Sequence, residues 1–290
     1  MCAFAEGTRF HVSTDVGPAS AVVAGFSQFG LAGLTAADYL VDHLELEQTG
    51  HIRAEGLPTI TPFENGRPRY PTRLFSRDDL DVTVLVGELF VPYALAEPFS
   101  RAVLSWTEEA EVEEIAVLSG APFPHGSAEH RAFYIASDDY RELHFPDHDP
   151  DAGAGTTVAV GDATLETAEP PHGSDEEPSG DEAHTAPEAE PEEVRPMANG
   201  FLDGTNAALM ARAMESDLRG CVFVTPVHAQ IPDVDAAVRL VDAVDEVYGL
   251  GVDTGPLEEF AFQVGKYYRT LAERLEEQAD EEQPTDRMYM

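Results

Sequence analysis

The residues best equipped for chemistry gather in one stretch, Gly200 to Arg239, which reads GFLDGTNAALMARAMESDLRGCVFVTPVHAQIPDVDAAVR. Gly200, Gly204 and Asn206 stand at a helix start, where unpaired backbone N–H groups suit an anion. Cys221, His228 and Asp233 lie on or just after a β-branched run, so a thiol, an imidazole and a carboxylate come near one strand end. Such groups can act as nucleophile, proton carrier and orienting acid. His125 and His130 follow another apolar run, Glu111 to Ser119, and strand ends are where α/β enzymes place their catalytic groups. An enzyme built here would use His125 and His228 to move the proton and Asp233 or Asp235 to orient them. Against it, no spacing assigns a Ser-His-Asp or Cys-His pair, no phosphate-binding loop is present, and paired histidines in a polar loop usually face solvent. His144 and His148, with Asp147, Asp149 and Asp151, are metal-ligand types without a regular spacing, and they read as a solvated loop. No catalytic residue, cofactor site or metal ligand is therefore assigned.

The elements that must position these groups follow one strand-helix grammar. The runs ASAVVAGF (19–26), LDVTVLVGE (80–88) and EVEEIAVLS (111–119) are apolar nearly throughout, as strands buried on both faces are. Helical spacing appears in Leu34–Leu46, Ala96–Glu109, Asp235–Tyr248 and Leu257–Glu282; in the last, Leu257, Phe260, Val264, Tyr267, Leu271 and Leu275 share one face. Gly25, Gly30 and Gly33 could cradle a nucleotide, but GFSQFGLAG lacks the dinucleotide spacing, and a tight strand-to-helix turn accounts for them. His51–Ala54 and Phe133–Ser137 read as further strands. Between Leu57 and Arg77 the chain is rich in proline and arginine. Arg67, Arg69, Arg73 and Arg77 there read as neutralising nearby acids, with an anion or partner contact as the alternative.

Charge narrows the partners. The 290 residues carry 17 basic and 55 acidic side chains, a formal net charge of −38, and Lys266 is the lone lysine. Proteins of salt-loving organisms have such surfaces, because at molar salt a Debye length of about 3 Å mutes self-repulsion. Nucleic acid and anionic membranes are poor partners for it. Two cysteines far apart, no signal-like start and no apolar run long enough to span a bilayer point to the cytoplasm.

From Glu169 to Pro196 proline, glycine and acids replace large apolar residues, so the segment cannot bury enough surface to offset its ordering entropy. Residues 150–197 are read as a disordered acidic insertion within a single α/β domain of residues 1–282, and residues 283–290 as a flexible tail. The expected architecture is α/β, a mostly parallel central sheet flanked by helices.

In order and spacing, AVVAGFSQFGLAGLTAADYLVDHL, VLVGE, EIAVLSGAPF, NGFLDGTNAALM, GCVFVTPVHAQIPDVDAAVRLVDAV and the stretch Gly249–Asp253 resemble the archaeal members of the proteasome assembly chaperone 2 family. The family's PDPxAA-like loop corresponds to Pro232, Asp233, Val234, Asp235, Ala236 and Ala237, where valine replaces the usual second proline. The resemblance implies a phosphorylase-like three-layer domain without catalytic residues, a homo-oligomer, and binding to the outer ring of the core proteasome particle. It also implies that a C-terminal hydrophobic-Tyr-X tail, here Met288, Tyr289 and Met290, makes that contact. The tail has its own physical logic: a terminal carboxylate can pair with a lysine in a partner pocket, and a penultimate tyrosine supplies rigid apolar area with a hydroxyl.

Overall fold

The computed structural model describes residues 9–57, 60–122, 130–146, 194–228 and 231–281. The strands are β1 (Arg9–Thr14), β2 (Ala21–Phe26), β3 (Glu47–Glu55), β4 (Phe63–Glu64), β5 (Arg67–Pro68), β6 (Thr72–Ser76), β7 (Val82–Gly87), β8 (Glu114–Pro122), β9 (Phe133–Ala136), β10 (Arg195–Pro196) and β11 (Arg219–Val227). The helices are α1 (Ala32–His43), α2 (Ala96–Glu109), α3 (Asp138–His144), α4 (Gly204–Met214), α5 (Val234–Tyr248) and α6 (Gly255–Glu281). Among the described residues, nine strands join one sheet in the order β1-β3-β6-β7-β2-β8-β11-β9-β10, and β4 and β5 form a separate two-stranded ribbon.

The centre of the sheet, β7-β2-β8-β11, is parallel. Every residue of β2 and β7 is buried, so the valine-rich runs have helices above and below them. On one face, α1, α5 and the first turns of α6 close a core through Leu40, Val84, Leu118, Phe223 and Leu240. On the other, α2 and α4 cover Val22, Leu85, Phe99, Ile115 and Leu209. Three layers result.

The expectation of a mostly parallel sheet needs correction: the sheet is mixed. β1, β3 and β6 attach antiparallel on one side, and β9 runs antiparallel to β11 on the other. These flanking strands lack the long apolar signature because much of their surface meets solvent; in β3 only Gly50 and Ile52 are buried. Strand β6 lay hidden in the proline- and arginine-rich stretch. The insertion boundary also shifts. Val194 is buried and Arg195–Pro196 pairs with β9, so residues 194–197 belong to the sheet, while the rest of the acidic segment lies outside the described residues.

The glycines of GFSQFGLAG bring α1 onto the sheet. A Cβ on Gly33 would lie 2.0 Å from the Leu118 carbonyl oxygen, and one on Gly25 would lie 2.1 Å from the Gly33 carbonyl oxygen. Gly30, at φ +64°, closes the turn between strand and helix. Close packing accounts for all three.

Three of the four arginines, Arg69, Arg73 and Arg77, neutralise acids, as their neighbourhood implied. Arg69 bridges Glu64 at 2.8 Å and Glu88 at 2.9 Å, Arg73 reaches the same Glu88 oxygen at 2.9 Å, and Arg77 pairs with Asp79. Arg73 and Glu88 sit near Asp38 of α1. Burial pushes the Asp38 carboxyl up to about 6, Arg73 and Arg69 oppose that rise, and Glu88 and Asp42 add to it.

Candidate functional site

At the carboxyl ends of the parallel strands, neighbouring β2 and β7 send the chain to opposite faces, into α1 and α2 respectively. Such a switch point opens a crevice in α/β sheets. Here it is a cleft of about 420 Å³, floored by Gln28, Ser119 and Asn206 and rimmed by Phe29, Phe90 and Tyr93. The floor is a closed polar network. Asn206 Nδ2 donates to Ser119 Oγ at 2.8 Å and to Gln28 Oε1 at 3.1 Å, and Gln28 Nε2 returns a bond to Asn206 Oδ1 at 3.2 Å. Ser119 Oγ donates to Gln28 Oε1 at 3.1 Å. These side chains therefore spend their hydrogen bonds on one another, which ties the turn after β2, the end of β8 and the start of α4 together across 178 residues of sequence.

The anion reading of Gly204 and Asn206 is not supported by this geometry. The residue before the helix is Asp203, whose carboxylate accepts from the Tyr93 hydroxyl at 3.0 Å and brings negative charge to the helix start. Gly204, at φ +54°, has the Tyr93 ring against it at 3.0 Å from a notional Cβ. It is a turn residue under an aromatic cover. Gly200 lies in the exposed approach to that turn.

A second cluster forms where β11 ends and α5 begins. Asp233 is the N-cap of α5: its Oδ1 accepts from the Ala236 N–H at 3.2 Å. Its Oδ2 takes the His228 backbone N–H at 2.8 Å and meets His228 Nδ1 at 2.7 Å. His130 Nε2 straddles the carboxylate, 3.3 Å from each oxygen. The Asp233 backbone is held as well, its N–H donating to the Gly30 carbonyl at 2.7 Å. Burial alone would push the Asp233 carboxyl up, but the bonds from His130 and from the backbone and ring of His228 outweigh it and hold the acid well below the usual carboxylate range. His130, expected to face solvent, is buried; its partner is an acid 103 residues away that no local spacing reveals.

The other sequence candidates separate. His228 and Asp233 come together, but Asp235 is exposed on the first turn of α5, and His125 lies outside the described residues. Cys221 is fully buried beside Tyr140, and burial raises its thiol well above the ordinary range, so it is a core side chain rather than a nucleophile. His144 binds Glu114 at 2.9 Å inside the fold, and His148 lies outside the described residues. Met288, Tyr289 and Met290 also lie outside them. No local spacing marks Gln28 and Ser119 as partners of Asn206. A polar residue inside the apolar run EIAVLSG was the available signal.

Residues 22–272 match the model of the PAC2 family. No curated protein matches the chain. Among solved structures, the fold is similar to Pyrococcus furiosus PbaA, described as an archaeal homolog of proteasome-assembly chaperone, with a TM-score of 0.69 and 17% identity over 97% of this chain and 100% of that one. Pyrococcus furiosus PbaB, described as an archaeal proteasome activator, has a TM-score of 0.63 at 16% identity, covering 91% of this chain and 99% of its own. A Mycobacterium tuberculosis proteasome-assembly chaperone homologue has a TM-score of 0.53 at 16% identity over 92% and 96% of the two chains. At these identities the structural likeness speaks for the fold.

Proposed function

The chain belongs to the PAC2 family, and from that membership we propose that it is a non-enzymatic, proteasome-associated chaperone of a salt-loving archaeal cytoplasm. The observation that carries the reading is the family match from residue 22 to residue 272, seen beside solved relatives described as a proteasome-assembly chaperone homolog and a proteasome activator. In this reading the domain, related to phosphorylase-like folds, is a scaffold and docking is the chemistry. Met288, Tyr289 and Met290 enter a pocket between outer-ring subunits of the core particle: Tyr289 supplies the ring and hydroxyl, the terminal carboxylate meets a lysine, and Met288 adds apolar contact.

Self-assembly is the second half of the proposal. Helix α6 buries Leu257 and Ala261 against the rest of the fold, yet Phe260, Phe262, Tyr267 and Leu271 stand exposed on it. Exposed aromatics in such number on one helix suit a contact between copies. An oligomer so formed would present several tails at once and gain avidity where their spacing matches the pockets.

The test is co-purification with core proteasome particles at molar salt, with the full chain and with its last three residues removed. Loss of the particle with the oligomer preserved is the expected outcome. Unchanged co-purification would refute the tail assignment. High salt is needed, because a net charge of −38 at low ionic strength could drive the copies apart irrespective of the tail.

A further inference from the structure

The geometry around Asp233 carries more than a helix cap. We propose that His130, His228 and Asp233 bind a divalent first-row metal ion of the zinc class, with solvent completing the coordination. One ligand atom from each residue lies within 4.8 Å of the other two. Bonds of about 2.0–2.2 Å in a tetrahedral site place ligand atoms about 3.5 Å apart, so the three need to shift by no more than about an ångström to surround an ion. His130 and Asp233 are buried and already fixed. His228 is half exposed, its side chain 49% accessible, so it has room to swing outward and leaves a coordination position open to water.

The donor set chooses the class of ion. Two imidazole nitrogens and one carboxylate suit zinc, cobalt, nickel or copper, whereas magnesium and calcium take oxygen-rich shells. Supporting contacts are present: Asp233 Oδ1 is oriented by the Ala236 N–H, and its backbone is tied to Gly30. The start of α5 brings a partial positive charge of about half a unit, which opposes a cation. The full charge of Asp233 exceeds it, Asp235 lies on the same first turn, and the chain's net charge of −38 raises the local cation concentration. Bound there, the ion would join the segment entering β9 to the segment entering α5 across the end of β11.

An acidic protein collects divalent cations loosely, so the test must separate a built site from counterions. Full-length protein is stripped with a chelator, dialysed to equilibrium against Zn²⁺ in molar potassium chloride, and its metal content measured. The expected result is one saturable ion per chain, with affinity weakened at least about tenfold in His228→Ala. His11→Ala, on an exposed edge-strand histidine, should bind as the parent does. With Co²⁺, the parent should show visible ligand-field bands that both His228→Ala and His130→Gln lose. Circular dichroism checks that the variants are folded, and His228→Ala should be, since its ring is half in solvent. Absence of saturable binding in the parent would overturn the proposal, as would His228→Ala binding Zn²⁺ as tightly as the parent.

Discussion

Replacing Asp38 with asparagine should make this protein more stable at neutral pH, although it removes a carboxylate that faces two arginines. The carboxyl titrates near 6 in the fold against 3.8 in an unfolded chain. Because the folded value is the higher one, the folded state keeps its proton over a window in which the unfolded state has lost it. Stability therefore falls as pH rises from about 3.8 to about 6 and is level above. At about 1.4 kcal/mol per pH unit the full cost of the charged form is about 3 kcal/mol, and partial exposure with salt screening brings the expected gain from Asp38→Asn to about 1–2 kcal/mol at pH 8. At pH 5 roughly half of that gain should remain, because the folded carboxyl is then mostly protonated. Urea unfolding followed by the fluorescence of Trp106, the lone and buried tryptophan, measures the difference at both pH values. A variant less stable than the parent at pH 8 would show that attraction to Arg73 exceeds the burial cost, and would refute the reasoning.

Two further perturbations test the framework. Asp233→Ala removes the cap of α5, worth about 1 kcal/mol, and with it the carboxylate that the buried His130 ring and the His228 N–H bind, so a total loss of about 2–4 kcal/mol is expected in the same unfolding assay. The depressed carboxyl makes its contribution complete above 3.8 and lost only as pH falls through the lower folded value, so the part of the deficit due to the carboxyl should shrink only below about pH 3.8; a loss under about 0.5 kcal/mol at neutral pH would mean that the cluster holds nothing in place. Gly33→Ala drives a methyl to 2.0 Å from the Leu118 carbonyl and should cost about 3 kcal/mol or prevent folding, read as melting temperature and soluble yield. Gly265→Ala, with open space around it on α6, should instead stabilise by about 0.5–1 kcal/mol, and equal effects at the two glycines would contradict the packing account.

What could be read in advance follows how local the physics is. β2, β7 and α2 announce themselves because burial on two faces, or on one helical stripe, leaves a periodic pattern in adjacent residues. The antiparallel margins do not, since β1 and β3 are half solvated and β6 is short and carries the buried Arg73. The glycine turn before α1 was legible as a turn, but the partner that forbids a side chain there, the Leu118 carbonyl, belongs to a strand 85 residues later. The clusters around Asn206 and Asp233 were visible only in halves. Asn206, His228 and Asp233 stood out by type within one α/β unit, whereas Gln28, Ser119 and His130 join them through the sheet topology, which brings the ends of β2, β8 and β11 side by side.

The acidic stretch has a consequence that concerns how the protein can be altered. Its two described flanks meet at one residue: Phe145 stacks on Tyr134 with ring centroids 4.1 Å apart, and Met197 N–H donates to the Tyr134 carbonyl at 3.0 Å. Phe145 and Met197, on either side of the acidic stretch, are therefore both held at Tyr134 of β9, near the sheet's outer margin. Closing a chain segment becomes costlier only with the logarithm of its length, about 0.6 kcal/mol per doubling. With its two ends held this close, a change in the length of the segment between them should cost little in chain entropy. The segment between Phe145 and Met197 is accordingly the place to try splicing in a fluorescent reporter or an affinity handle, with the melting temperature of the fusion as the check.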